Sequence, residues 1–132
     1  MNHLVFVYGT LRKHECNHFY LNGARCVALN CWTNGKLYDP NLGYPFLAQS
    51  ECDQVFGELY QVDDEQLASL DQLEDYEGPG KNNLYDRNVQ TIHTAGGTHQ
   101  AFVYVLPIGS SVGEMVPIEG GDWCKYRASK QI

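Results

Sequence analysis

The sequence predicts an α+β fold: a strand-rich barrel with one well-marked helix and one short one against it. Three observations lead there. Apolar runs of strand length recur along the chain, separated by Gly, Pro, Asn and Thr. Residues 63–76 alone carry a sustained helical pattern. Thirteen glycines and nine tyrosines among 132 residues suit tight turns and strands. The length is that of one domain, residues 1–132, large enough to bury a core without disulfides.

Residues 2–8 are the first expected strand, an apolar run that stops at Gly9-Thr10-Leu11-Arg12-Lys13. A buried strand that ends in Gly-Thr leaves amide groups free at its carboxyl end, and successive amides form a concave nest for an anion. Residues 14–22 suggest a short helix, with Gly23 as its C-cap. A strand over 24–33 follows, then Asn34-Gly35 as a hairpin turn and residues 36–38 as the return strand. Residues 39–45 form a loop by their Pro, Gly and Asn content. A short apolar piece spans 46–48, and a strand spans 55–62, where Gly57 marks a bend or a close backbone approach. The helix over 63–76 starts at Asp63, with Gln66 as capping-box partner, and ends at Gly78-Pro79-Gly80. Strands over 84–94 and 100–106 are joined by a turn at Ala95-Gly96-Gly97-Thr98. In the tail, Gly120-Gly121-Asp122-Trp123 is the one marked feature.

A formal charge of −7 argues against nucleic acid and anionic membrane as partners, while leaving room for one local anion site. No apolar signal segment follows Met1, and no stretch approaches about 18 consecutive apolar residues. The five cysteines are scattered without a CxxC pair. The expectation is a cytoplasmic protein with reduced thiols.

The central chemical candidate is Glu74. At about 100° per residue it falls within about 20° of Leu67, in the middle of the apolar face that also holds Leu70. Ser69, Gln72 and Tyr76 point the other way. Burial disfavours an ionised carboxyl and raises its pKa, which suits a group that takes and returns a proton near neutrality. Two other readings stay open: a helix end turned to solvent, or an ion pair with Arg87. Glu77 falls past the helix end. The acidic cluster of Asp71, Glu74, Asp75 and Glu77 lacks a histidine at ligand spacing, and His14 with His18 lacks a third ligand, so neither makes a metal site. Cys16 has no base placed beside it. Tyr85 and Arg87 alternate onto one strand face; Tyr85 either reaches a ligand or packs in the core. Trp32 and Trp123 are packing residues.

Taken in order, Val7-Tyr8-Gly9-Thr10-Leu11, Gly43-Tyr44-Pro45, Val55-Phe56-Gly57-Glu58-Leu59-Tyr60, Leu70-Asp71-Gln72-Leu73-Glu74 and Tyr85-Asp86-Arg87 resemble the gamma-glutamylcyclotransferase-like (AIG2-like) family over nearly the whole chain. The compact length is more similar to its gamma-glutamylamine branch than to the longer glutathione-metabolising members. The resemblance implies a small mixed β-barrel with flanking helices. It also implies conversion of a gamma-glutamyl amide to 5-oxoproline without cofactor or metal. It assigns Tyr8, Gly9, Thr10 and Leu11 to the substrate's α-carboxylate, Glu74 to acid/base chemistry, and Tyr85 to the substrate. The implied partner is a small gamma-glutamyl molecule, bound by a monomer or weak homodimer. Some short bacterial members lack the glutamate; this chain has it. The rival reading is a non-catalytic binding protein for an amino-acid-like anion, and a third is a thiol hydrolase using Cys16.

Overall fold

The computed structural model describes residues 1–130. Five strands close a barrel in the order β1-β5-β2-β6-β7. They are β1 (His3–Val7), β2 (Arg25–Asn34), β5 (Gln54–Val62), β6 (Asp86–Thr94) and β7 (Gly97–Val105). Neighbours are antiparallel except β1 and β7, whose parallel pairing places Val5 opposite Phe102 and closes the barrel. A second sheet of three short strands has β3 (Lys36–Asp39) between β4 (Phe46–Ala48) and β8 (Val116–Pro117). The α+β barrel expected from the sequence is the fold observed.

The apolar run of β1 is explained by burial on both faces. Phe6 and Tyr8 join Leu59, Ile92, Val103 and Val105 in the core shared by the barrel strands. Val5 and Val7 instead join Leu67, Leu70, Tyr85 and Tyr104 in a second core under the helix. Gly57 is the close approach the sequence signalled: a Cβ there would lie 2.2 Å from the Val7 carbonyl oxygen and 2.8 Å from the Phe6 ring. That contact pins β5 to the end of β1, where the Gly-Thr loop begins.

Three expectations need correction. Asn34-Gly35 is not a hairpin turn, since β2 and β3 belong to different sheets and β3 pairs with β4, Leu37 opposite Leu47. The dipeptide is a corner where the chain leaves the barrel, and a Cβ at Gly35 would meet the Leu47 side chain at 2.7 Å. The short helix over 14–22 shrinks to a 3-10 helix, His18–Leu21. The main helix, α1 (Asp64–Leu73), has the expected Asp63–Gln66 capping box but stops before Tyr76. Asp75 takes a left-handed φ of 56°, the Asp75 amide bonds the Gln72 carbonyl and the Tyr76 amide bonds the Asp71 carbonyl. That is a Schellman ending with aspartate where glycine is usual, so Gly78-Pro79-Gly80 lies beyond the stop. A further helix, α2 (Trp123–Lys130), was not expected. The Asp122 carboxylate accepts the Lys125 amide at 3.1 Å and caps it.

Candidate active site

The loop after β1 is held by its carbonyls. The Gly9 carbonyl accepts the Arg12 amide at 3.1 Å, the Thr10 carbonyl accepts the Asn17 amide at 2.9 Å, and the Leu11 carbonyl accepts the His18 ring Nδ1–H at 2.9 Å. Asn17 also donates its side-chain amide to Thr10 Oγ1 at 2.9 Å. With the carbonyls fixed, the amides of Gly9, Thr10 and Leu11 donate to no group among the described residues. Gly9 itself is required by packing, because a Cβ would sit 2.8 Å from the Pro45 ring. The Gly43-Tyr44-Pro45 loop and the Gly-Thr loop are therefore two walls of one pocket.

The positive charge beside this loop is spent elsewhere. Arg12 donates Nε–H to Glu58 at 2.9 Å and Nη1–H to Asp122 at 3.0 Å. Glu58 is 4% exposed and also accepts the Lys13 amide at 2.7 Å and the Tyr60 hydroxyl at 2.9 Å. A buried carboxylate with this many donors acts as a clamp on residues 12–13. The sequence reading missed Glu58; a lone carboxylate within the apolar run of β5, with an arginine at the loop, was the available signal.

Glu74 is the C-cap of α1 and lines a cavity of about 360 Å³ together with Tyr8, Gly9, Thr10, Leu11 and Tyr85. The structure thus brings all six site residues expected from the sequence to one cavity. Burial pushes the Glu74 carboxyl up from 4.5 to about 7. Among the described residues nothing hydrogen-bonds to it. The alternative of a pair with Arg87 does not hold, because Arg87 Nη1 donates to Asp71 at 2.5 Å. Asp71 also accepts the Tyr104 hydroxyl at 2.6 Å, and the guanidinium lies over the Tyr76 and Phe102 rings. Two carboxylates three residues apart on one helix thus meet opposite environments. Asp71 takes the cation and the hydroxyl, while Glu74 is left unpaired over the cavity.

Both tyrosines present rings rather than free hydroxyls. Tyr8 donates to the Tyr104 carbonyl at 2.5 Å and Tyr85 to the Pro45 carbonyl at 2.8 Å. Burial above all, and then the neighbouring Glu74 for Tyr8, hold the Tyr8 phenol neutral. Burial, followed by Tyr8 and Glu74, does the same for Tyr85. Cys16 also lines the cavity, yet no imidazole is hydrogen-bonded to its thiol among the described residues. Glu77 and His14 do not line it. No cluster of three or more His, Cys, Asp or Glu able to hold a metal exists among the described residues.

Barrel topology and pocket together define a small barrel of the gamma-glutamyl cyclotransferase kind. The chain belongs to the family described as gamma-glutamyl cyclotransferase, AIG2-like, whose profile matches residues 5–125. It is 39% identical over 124 residues to the gamma-L-glutamyl-butirosin B gamma-glutamyl cyclotransferase of Niallia circulans, covering 93% of this chain and 76% of that one. A Vibrio cholerae relative, provisionally named a gamma-glutamylcyclotransferase, is 41% identical over 127 residues, 95% of this chain and 98% of its own. The crystal structure of YkqA from Bacillus subtilis superposes with a TM-score of 0.79 at 30% identity, over all of this chain and 44% of that longer one. No helix among the described residues is long and apolar enough to cross a membrane.

Proposed function

We propose that the protein converts a gamma-glutamyl amide to 5-oxoproline with release of the amine, using Glu74 as general acid/base. The observation that carries this is one cavity holding both an unpaired carboxyl, poised at about 7, and the unbonded amides of Gly9, Thr10 and Leu11. The amides hold the α-carboxylate and fix one end of the substrate. Tyr85 and Tyr8 confine the chain so that the α-nitrogen meets the γ-carbonyl carbon. Because nucleophile and electrophile lie in one molecule, holding it folded supplies much of the acceleration.

Glu74 takes a proton from the α-ammonium, and the freed nitrogen attacks the γ-carbonyl. The new C–N bond closes the five-membered ring. As the old C–N bond breaks, the same carboxyl returns its proton to the departing amine, and the second proton of the ring nitrogen leaves with that amine as its ammonium. Each turnover leaves Glu74 as it began, and the substrate supplies every other atom, so the chemistry needs no cofactor. The Niallia circulans relative, named a gamma-glutamyl cyclotransferase of gamma-L-glutamyl-butirosin B, supports the reaction class.

The test is Glu74→Gln assayed against a panel of gamma-glutamyl amides, with 5-oxoproline measured by mass. The expected result is a folded variant that binds the amides and forms no product. Full turnover by the variant, or binding without product by the parent across the panel, would refute the assignment; the second outcome describes a binding protein.

A further inference from the structure

The cavity that holds Glu74 is also lined by side chains that the cyclisation does not use. Leu42 and Leu84 line it while remaining 63% and 41% exposed, so they stand at its mouth. Leu42 comes from the loop after β3, which also carries Tyr44 and Pro45, and Leu84 from the segment before β6. Leu73 and Tyr44 continue the apolar wall inward. Among the lining residues Glu74 is the one charged side chain. Arg12, the arginine nearest in sequence, is bound by Glu58 and Asp122, and Arg87 by Asp71.

We propose, resting on the cyclotransferase reading, that the leaving group is a compact apolar amine, alkyl or arylalkyl, with Leu42 and Leu84 as specificity-determining residues. A leaving amino acid or peptide would bring a second carboxylate into a cavity without a cation for it. That carboxylate would be desolvated and would also oppose the ionisation Glu74 needs. A polycationic amine would find one carboxylate in the lining, Glu74, which the reaction itself occupies with the substrate's own nitrogens, while Asp71, outside the lining, is already engaged by Arg87 and Tyr104. An apolar substituent instead covers the two exposed leucines and removes their surface from water. The cavity volume, about 360 Å³, lies at the small end of ligand pockets and suits a glutamyl unit plus a few carbons.

The experiment compares gamma-glutamyl-isobutylamide with gamma-glutamylglycine, whose leaving groups are similar in size and differ in charge. Turnover is measured with the parent enzyme, and binding to Glu74→Gln by calorimetry. The isobutylamide should show a kcat/KM at least about tenfold higher and bind more tightly. Equal or reversed order in both readouts overturns the proposal. If neither amide is turned over but the binding order holds, the apolar subsite stands and the cyclotransferase reading falls. If neither binds, both fall. Leu84→Arg places a cation at the mouth and should move the ratio at least about tenfold toward gamma-glutamylglycine; an unchanged ratio removes Leu84 from the subsite.

Discussion

Replacing Glu74 by glutamine should change how stability depends on pH, in a direction set by its burial. The native carboxyl keeps its proton up to about pH 7, whereas the unfolded chain loses it near 4.5. Between these values the native state binds more protons than the unfolded state, so stability falls as pH rises. Below about pH 4.5 both states are protonated and the group contributes nothing. Above about pH 7 the native state bears the full penalty of an unpaired buried charge. A displacement from 4.5 to about 7 corresponds to about 3 kcal/mol, an upper bound because the side chain keeps some exposure to the cavity. This is a visible part of the roughly 5–15 kcal/mol that holds a domain together. Glutamine has no proton to lose, so the variant should match the parent at low pH and exceed it by up to about 3 kcal/mol near pH 8. Urea titrations followed by tryptophan fluorescence at several pH values give both curves, and their difference cancels every other titrating group. A flat difference, or a variant less stable than the parent near pH 8, would mean that the carboxyl is solvated or paired in solution.

The same group predicts the rate profile. As a base it must be ionised, so kcat/KM should rise with pH through about 7, and a profile flat across that region would exclude Glu74 as the titrating base. Glu58→Gln, which takes the charge out of the clamp on Arg12 and Lys13, should lower stability by about 3–5 kcal/mol in urea titrations at neutral pH; a loss under about 1 kcal/mol would mean that the buried pair is dispensable. Cys16→Ser should keep full 5-oxoproline production, because the thiol has no base beside it. Loss of activity together with a covalent adduct on Cys16 in the parent would revive the thiol mechanism.

What was legible in the sequence was what local periodicity determines. The inward direction of Glu74 follows from its angular distance to Leu67 and Leu70, and survives even though the helix ends just before it. The capping box, the free-amide loop and the Gly57 contact are also written in short stretches. What was hidden depends on residues far apart. Arg12 reads as a loop cation until the fold brings Glu58 and Asp122 to it, across 46 and 110 residues of chain. Arg87 read as a possible partner for Glu74, and only the fold, which sets Asp71 within reach of both Arg87 and the Tyr104 hydroxyl and lays the guanidinium over Phe102, gives it to Asp71 instead. Asn34-Gly35 carries a hairpin signal, but the partner of β3 is chosen by Leu37 and Leu47 entering the core. The helix over Trp123–Lys130 has a polar composition, and its buried Trp123 gains a core to face only once the barrel exists.

The position of β1 has a consequence for how the protein is made. It is synthesised before the other barrel strands and pairs on one side with β5 and on the other with β7, Val5 meeting Tyr60 and Phe102. Its second partner is therefore synthesised about a hundred residues later. Until then the nascent chain carries an unpaired apolar edge, the sort of segment that invites chaperone capture. Pairings this distant in sequence also slow folding. Because the Gly-Thr loop hangs from the end of that strand and Tyr104 of β7 lines the same cavity, no partly folded chain can own a finished pocket. The proposed turnover would report the arrival of the last barrel strand, and a co-translational activity measurement should stay silent until β7 is released.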